Sequence, residues 1–233
     1  MQNAVYSKRD QTLLDLLLKA TFVGCVDENL MLLQHELDLV LVTIRPLNQE
    51  LFYQSILVDF GNFDYIEFQK PLPIAELVAI YLRHHKPAVA NVTEEANKII
   101  QPMLEQHLML KDYFSLKIDA EKATLEAIPW IVKGHMPVMT FLPSLLYQLA
   151  TLVDWQDEVP CLHEISMQLA IFYARPPKRA TTEQEHKAWA SNVERLFFPL
   201  YKTLLIPSGE LRTKGSFFTL TNITELYKFF ERC

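Results

Sequence analysis

The chain changes its hydrophobic period twice in its first sixty residues. "QTLLDLLLKA" (11–20) has helical spacing with leucines on more than one face, which predicts a short helix covered by the domain body or by a partner. "TFVGCV" (21–26), "LMLLQH" (30–35) and "DLVLVTI" (38–44) are β-rich runs separated by polar turns, the first of them Asp27-Glu28-Asn29, and predict antiparallel strands. "RPLNQELFYQSILVDFGN" then returns to helical spacing, with Leu47, Leu51, Phe52, Ile56 and Phe60 near one face, Pro46 to start it and Gly61 to stop it.

From Lys70 to Pro129 the pattern becomes that of an inserted block. "IAELVAIYLRHH" predicts a short helix, and "TEEANKIIQPMLEQHLMLKDYF" a longer one that Pro102 kinks or interrupts. "FSLKID" and "TLEAI" around "AEKA" predict a hairpin. The last third reads as helices over 143–154, 161–174 and 184–205, then a strand, "SFFTL" (216–220), and a closing helix from Ile223. In that helix Asn222 can cap with Glu225 three residues on, and Ile223, Leu226, Tyr227 and Phe230 form one stripe. The expected fold class is α+β, an antiparallel sheet with packed helices. The expected division is a discontinuous subdomain, 1–69 and 130–233, around an external α/β subdomain, 70–129.

Composition narrows the function classes. Half of the 233 residues are apolar, and the net charge of -6 gives the chain as a whole no electrostatic footprint for nucleic acid. Contact with DNA is therefore expected only weakly or through a complex. The three cysteines, Cys25, Cys161 and Cys233, are too scattered for a disulfide framework and fit a reducing compartment. "MQNAVYSKRD" lacks the apolar region of a signal peptide. The uncharged run "GHMPVMTFLPSLLYQLATLV" has the length of a membrane span, but Pro137 and Pro143 break it and His135, Ser144, Gln148 and Thr151 lie inside it. Pro143 instead opens a short buried helix, and no membrane partner is expected.

Little in the chain suits catalysis. The five glycines are too dispersed for a phosphate-cradling loop. Cys161 and His163 lie two apart on a helix and so face different ways, and His84-His85 meets the same objection. Gln34, His35 and Glu36 sit on a strand, which sends neighbours to opposite faces. Arg175, Lys178 and Arg179 form a basic knot in a proline-containing linker, a composition common in solvated connections. Asp154, Asp157 and Glu158 surround Trp155 as an acidic corner, which is either a helix start favoured by the macrodipole or a socket for a basic peptide. The residues alone thus describe a non-catalytic interaction domain with a thiol at its last position. A hydrolase using His35 and Glu36, or Cys161 and His163, is the rival from another class, and a homodimeric scaffold is the third alternative.

The ending "ELYKFFERC" carries a resemblance. Together with "FVGCVDE", "LQH", "ELFYQSILVDFGNF", "LKDYFSLKID", "LVDWQDEVPC" and "FYA", in this order, it resembles the C-terminal dimerisation domain of the eukaryotic MutL family of mismatch-repair proteins, in the MutL-homolog-1 branch. The likeness covers most of 12–233 and is weakest over 70–105 and 175–215. It implies a fragment lacking the family's N-terminal ATPase, a nuclear location, and pairing with a Pms-type MutL paralogue.

In that paralogue a metal-dependent endonuclease motif, Asp-Gln-His-Ala-x-x-Glu-x-x-x-x-Glu, spans a strand end and a helix start. Here the corresponding junction reads "VTIRPLNQELFYQ": Thr43, Ile44, Arg45 and Pro46 replace the first four residues, and Gln49 and Gln54 the two glutamates. Without carboxylate or imidazole the junction has neither general base nor metal ligand. The resemblance further implies that Phe230, Glu231, Arg232 and Cys233 cross to the partner and that Cys233 joins its zinc site. No cofactor is expected in this chain alone. A thiolate binds zinc at about 2.3 Å. Glu158 matches a family position that docks short Arg/Lys-aromatic motifs of repair partners such as a 5′ exonuclease.

Overall fold

The computed structural model describes Val5 and residues 7–222. It divides into two compact units, 1–54 with 174–233, and 55–173. The block 70–129 lies within the second.

The first unit begins with α1 (Gln11–Lys19). Asp10 starts it by accepting hydrogen bonds from the amides of Thr12 and Leu13, both at 3.0 Å. Leu13 and Leu17 are its buried residues. Then β1 (Thr21–Cys25), β2 (Leu30–His35) and β3 (Asp38–Thr43) form an antiparallel meander, and β7 (Phe217–Asn222) pairs antiparallel with β3, giving the order β1-β2-β3-β7. The two-residue turn from β2 to β3 places Glu36 at φ 53. Register pairs Met31 with Val42 and Leu33 with Val40, and all four are buried.

After β3 the chain enters α2 (Ile44–Val58), two residues before Pro46. Leu47, Leu51, Phe52 and Ile56 are fully buried along it, as their spacing predicts. Burying each such side chain is worth about 2 kcal/mol. Further along, α9 (Glu183–Asn192), a π-helical turn (Val193–Phe197) and α10 (Phe198–Thr203) run end to end, followed by α11 (Gly209–Thr213). Pro199 has no amide hydrogen, so the backbone cannot keep a regular α ladder through it, and the wider turn lies just before. Phe197 packs against Phe52, Trp189 and Tyr201 in the core of this unit.

In the second unit β4 (Asp64–Pro73), β6 (Thr124–Trp130) and β5 (Lys117–Asp119) form an antiparallel sheet in the order β4-β6-β5. The hairpin of β5 and β6 is the one expected from sequence, whereas β4 is not in that expectation. Pro71, Pro73 and Lys70 disguise it. Prolines are tolerated because β4 is an edge strand with an irregular stretch between Glu67 and Leu72. Helix α3 (Ile74–His85) follows. The long helical run expected next is three pieces, α4 (Val92–Ile99), α5 (Gln101–Glu105) and α6 (His107–Phe114), with Pro102 in the first turn of the middle one. A short 3₁₀ turn leads to α7 (Leu142–Leu152), which has Pro143 in its first turn, and α8 (Glu158–Tyr173) completes the unit. The buried His135 Nε2 donates to the Tyr173 carbonyl at 3.0 Å, and the Tyr173 hydroxyl donates to the Pro129 carbonyl.

No helix among the described residues is long and apolar enough to cross a membrane. The closing helix expected from Ile223 lies outside the described residues.

Candidate functional site

Three places bear on function, and the first is the junction of β3 and α2. Ile44 is buried, and its amide donates to the Asn29 carbonyl at 2.7 Å, which fixes the turn from strand to helix. Arg45, Pro46 and Gln49 are half-buried. Gln54 is buried and uses both ends of its amide on Ile206: Nε2 donates to the carbonyl and Oε1 accepts from the N–H, each at 2.8 Å. A carboxylate could not make both bonds, because it has no donor.

The neighbouring polar residues of α2 are also committed. Asn48 is buried and accepts the Tyr201 hydroxyl. Glu50 accepts the Ser208 amide at 2.9 Å and its hydroxyl at 3.1 Å. Burial nevertheless pushes the Glu50 carboxyl up to about 7, outweighing the Ser208 hydrogen bonds that favour its charged form. Sequence reading missed Glu50. The signal was available, since Glu50 lies four residues before Gln54 and between the buried Leu47 and Leu51 on one helical face.

The second place is the open face of the four-stranded sheet. Register sets Leu32 beside Leu41, Gln34 beside Leu39, and Leu41 beside Phe218. These side chains share the face opposite the buried Met31, Leu33, Val40 and Val42. Leu30, Leu32, Leu39 and Leu41 are half-buried, while Phe218 is 51% exposed. Leu220, at an irregularity in β7, is exposed too. An alternating strand that meets water on its second face normally carries polar residues there; this one carries leucines and a phenylalanine.

The third place is the acidic corner, where α8 begins. Asp154 Oδ1 accepts the Gln156 amide at 3.0 Å, and the Asp157 carbonyl accepts the Cys161 amide at 2.9 Å. Both turn the chain into the helix. Asp154, Asp157 and Glu158 are exposed, Val159 is 65% exposed, and Trp155 is half-buried between them. The Trp155 Nε1 is buried and has no hydrogen-bond partner among the described residues. The corner is thus an exposed set of carboxylates beside apolar surface.

The rival constellations do not assemble. Among the described residues no three His, Cys, Asp or Glu side chains gather as a metal site would require. Gln34 lies on the open sheet face, His35 is half-buried, and Glu36 is in the exposed turn. Cys161 is buried, with its thiol pushed up first by desolvation and then by Asp154, while His163 is half-buried elsewhere on the helix. His85 contacts the Tyr81 carbonyl at 3.1 Å and stacks on the Tyr81 ring, and His84 is exposed. Lys178 and Arg179 are exposed in the linker. Phe230, Glu231, Arg232 and Cys233 lie outside the described residues.

Fold and surface together define a class: an α+β domain whose polar residues on α2 are engaged within its own fold and whose open features are an apolar sheet face and an acidic corner. The chain belongs to the family described as DNA mismatch repair protein Mlh1 C-terminus, whose model matches residues 1–233. It is 31% identical to the DNA mismatch repair protein MLH1 of Saccharomyces cerevisiae over 245 residues, covering 95% of this chain and 31% of that protein. It is 28% identical to the DNA mismatch repair protein Mlh1 of Dictyostelium discoideum over 239 residues, covering 91% of this chain and 27% of that protein. The chain therefore spans about a third of the length of these relatives.

Proposed function

We propose that this chain is the scaffold half of a nuclear mismatch-repair heterodimer, pairing with a Pms-type MutL paralogue through its first unit. The observation that carries the proposal is the open apolar sheet face of a chain that belongs, over its whole length, to the family of Mlh1 C-termini. Covering Leu32, Leu39, Leu41 and Phe218 removes apolar area from water, which is the dominant favourable term in association.

On this reading the nuclease chemistry belongs to the paralogue. The β3–α2 junction supports that division, since Gln54 is engaged with the Ile206 backbone and Glu50 with Ser208. This chain contributes its tail, with Phe230 anchoring the crossing and Glu231 and Arg232 pairing across it. Cys233 suits zinc chemically, because a thiolate is a strong zinc ligand. Glu158 docks short basic-aromatic motifs of repair partners through a charge-assisted hydrogen bond.

The test is co-purification with a Pms-type C-terminal domain, for wild type, Phe218→Glu and a deletion of Cys233. Phe218→Glu is expected to weaken pairing at least ten-fold, by placing a charge in an apolar interface. The Cys233 deletion is expected to pair normally and to lose bound zinc or nicking. Normal pairing by Phe218→Glu refutes the sheet-face interface. Unchanged zinc and nicking in the deletion refute the ligand role and leave the tail as a clamp. A chain that self-associates and ignores the paralogue is a homodimeric scaffold instead.

A further inference from the structure

We propose that Thr181 is a phosphorylation site for a basophilic serine/threonine kinase, and that its modification frees the segment 180–182 from the carboxylates that hold it. This linker carries no helix or strand. Lys178 and Arg179 are exposed and stand three and two residues before Thr181, which is also exposed. A kinase whose peptide groove is lined by carboxylates selects cations at such positions. The basic knot thus gains a role as the recognition element for the hydroxyl that follows it.

What distinguishes this threonine is how its neighbourhood is held. Glu28, a carboxylate only 4% exposed in the β1–β2 turn, accepts the Ala180 amide. On the other side, Glu185 Oε2 accepts the Thr181 amide at 2.8 Å, the Thr181 hydroxyl at 2.9 Å and the Thr182 amide at 3.2 Å. The Glu185 amide in turn donates to the Thr182 hydroxyl at 3.2 Å, completing a capping box at the start of α9. Residues 180 and 181 are therefore gripped by two carboxylates, and one bond of that grip needs the Thr181 hydroxyl as donor.

Phosphorylation reverses that. The γ-phosphoryl of a magnesium-bound nucleoside triphosphate passes to Thr181 Oγ1: an O–P bond forms, the bond to the β-phosphate oxygen breaks, and the nucleoside diphosphate leaves. The hydroxyl proton goes to the kinase's general base. The product has no O–H to give Glu185 and carries a charge of nearly -2 at pH 7. It lies against the Glu185 carboxylate and beside the residue held by Glu28. Like charges at this separation repel, so Glu185 swings away, the capping box opens and the first turn of α9 loses its bonds. Thr182 behaves differently. Its oxygen is the helix cap, and a phosphate there would sit on the positive end of the α9 dipole, where negative charge is favoured.

The experiment treats the chain with a kinase selective for cations two and three residues before the acceptor, with magnesium ATP, and locates the phosphate by tandem mass spectrometry. A peptide of residues 175–187 serves as control. The folded chain is expected to take one phosphate at Thr181. Thr181→Val is expected to abolish it, and Arg179→Ala to reduce labelling several-fold. In the phosphorylated chain, amide exchange over 180–186 is expected to rise about ten-fold while β2 and β3 keep their protection. Phosphate on Thr182, or a folded chain that resists labelling whatever the peptide does, overturns the site. Labelling at Thr181 with unchanged exchange overturns the release.

Discussion

Gln54→Glu tests whether Gln54 is a structural clasp at the β3–α2 junction. It places a carboxylate there and changes almost no volume. The Gln54 amide makes two bonds of 2.8 Å to Ile206, one as donor and one as acceptor. A glutamate keeps the acceptor and loses the donor. The lost bond is worth about 1 kcal/mol, and the orphaned Ile206 carbonyl adds about 1 to 3 kcal/mol more. The new carboxylate also replaces an Nε2 that lies 3.4 Å from Glu50 Oε1, so two acids would face each other at a buried site. The sum is a destabilisation of about 3 kcal/mol at pH 8.

The sign with pH follows from the same geometry. In the folded variant the new carboxyl titrates above its unfolded value, so its cost is complete above the folded pKa. That cost disappears as the pH falls toward the unfolded value, where the protonated acid can donate to Ile206. Urea denaturation at pH 8 and pH 5, with exchange of peptides covering 44–57 and 204–214, reads both the size and the place of the effect. Stability within about 0.5 kcal/mol of wild type at both pH values would refute the account of Gln54 as a backbone clasp.

The remaining predictions concern single groups. Glu50→Gln is expected to stabilise the chain above pH 7 by about 3 kcal/mol and to leave it little changed near pH 4.5. The wild-type carboxyl rises from 4.5 unfolded to about 7 folded, and its ionisation cost grows across that window. Equal stability-against-pH curves for the two proteins would refute this. Glu158→Ala is expected to weaken binding of an Arg/Lys-aromatic peptide about five-fold by calorimetry without altering the melting temperature, because the side chain is exposed. Unchanged affinity would remove Glu158 from the docking surface.

The first sheet and most helices could be read from periodicity because their determinants are local. Alternation sets β2 and β3, Pro143 marks a helix start, and Pro102 interrupts a helical run. Strand β4 escaped because edge strands relax the rules that make strands recognisable. Its prolines would be excluded from a central position, and its partner β6 lies some sixty residues away in sequence, as Asp64 pairs with Trp130. The acidic corner was legible as a cluster, because Asp154, Asp157 and Glu158 are adjacent in sequence. The commitments of Asn48, Glu50, Gln54 and Glu28 were not legible. Each depends on a partner more than a hundred residues distant, as when Gln54 meets Ile206 or Glu28 meets Ala180. Periodicity marks which face of a helix is buried, but it carries no information about which backbone group will meet a polar side chain there.

Those long-range bonds bear on how such a chain contributes to a complex. A strand-end, helix-start junction can build a metal site only if its polar side chains point to a common space. In α2 they are spent on the fold: Asn48 on Tyr201, Glu50 on Ser208, and Gln54 on both backbone groups of Ile206. Removing one of them would leave a buried group unsatisfied, at about 1 to 3 kcal/mol each, so recruiting them for chemistry would cost stability without supplying a ligand. What can reach a partner without such cost is what the fold leaves outside: the leucines and Phe218 on the open sheet and Glu158 at the start of α8. That division, with the polar side chains of α2 turned inward and apolar and acidic groups left at the surface, is what the proposed scaffold role rests on.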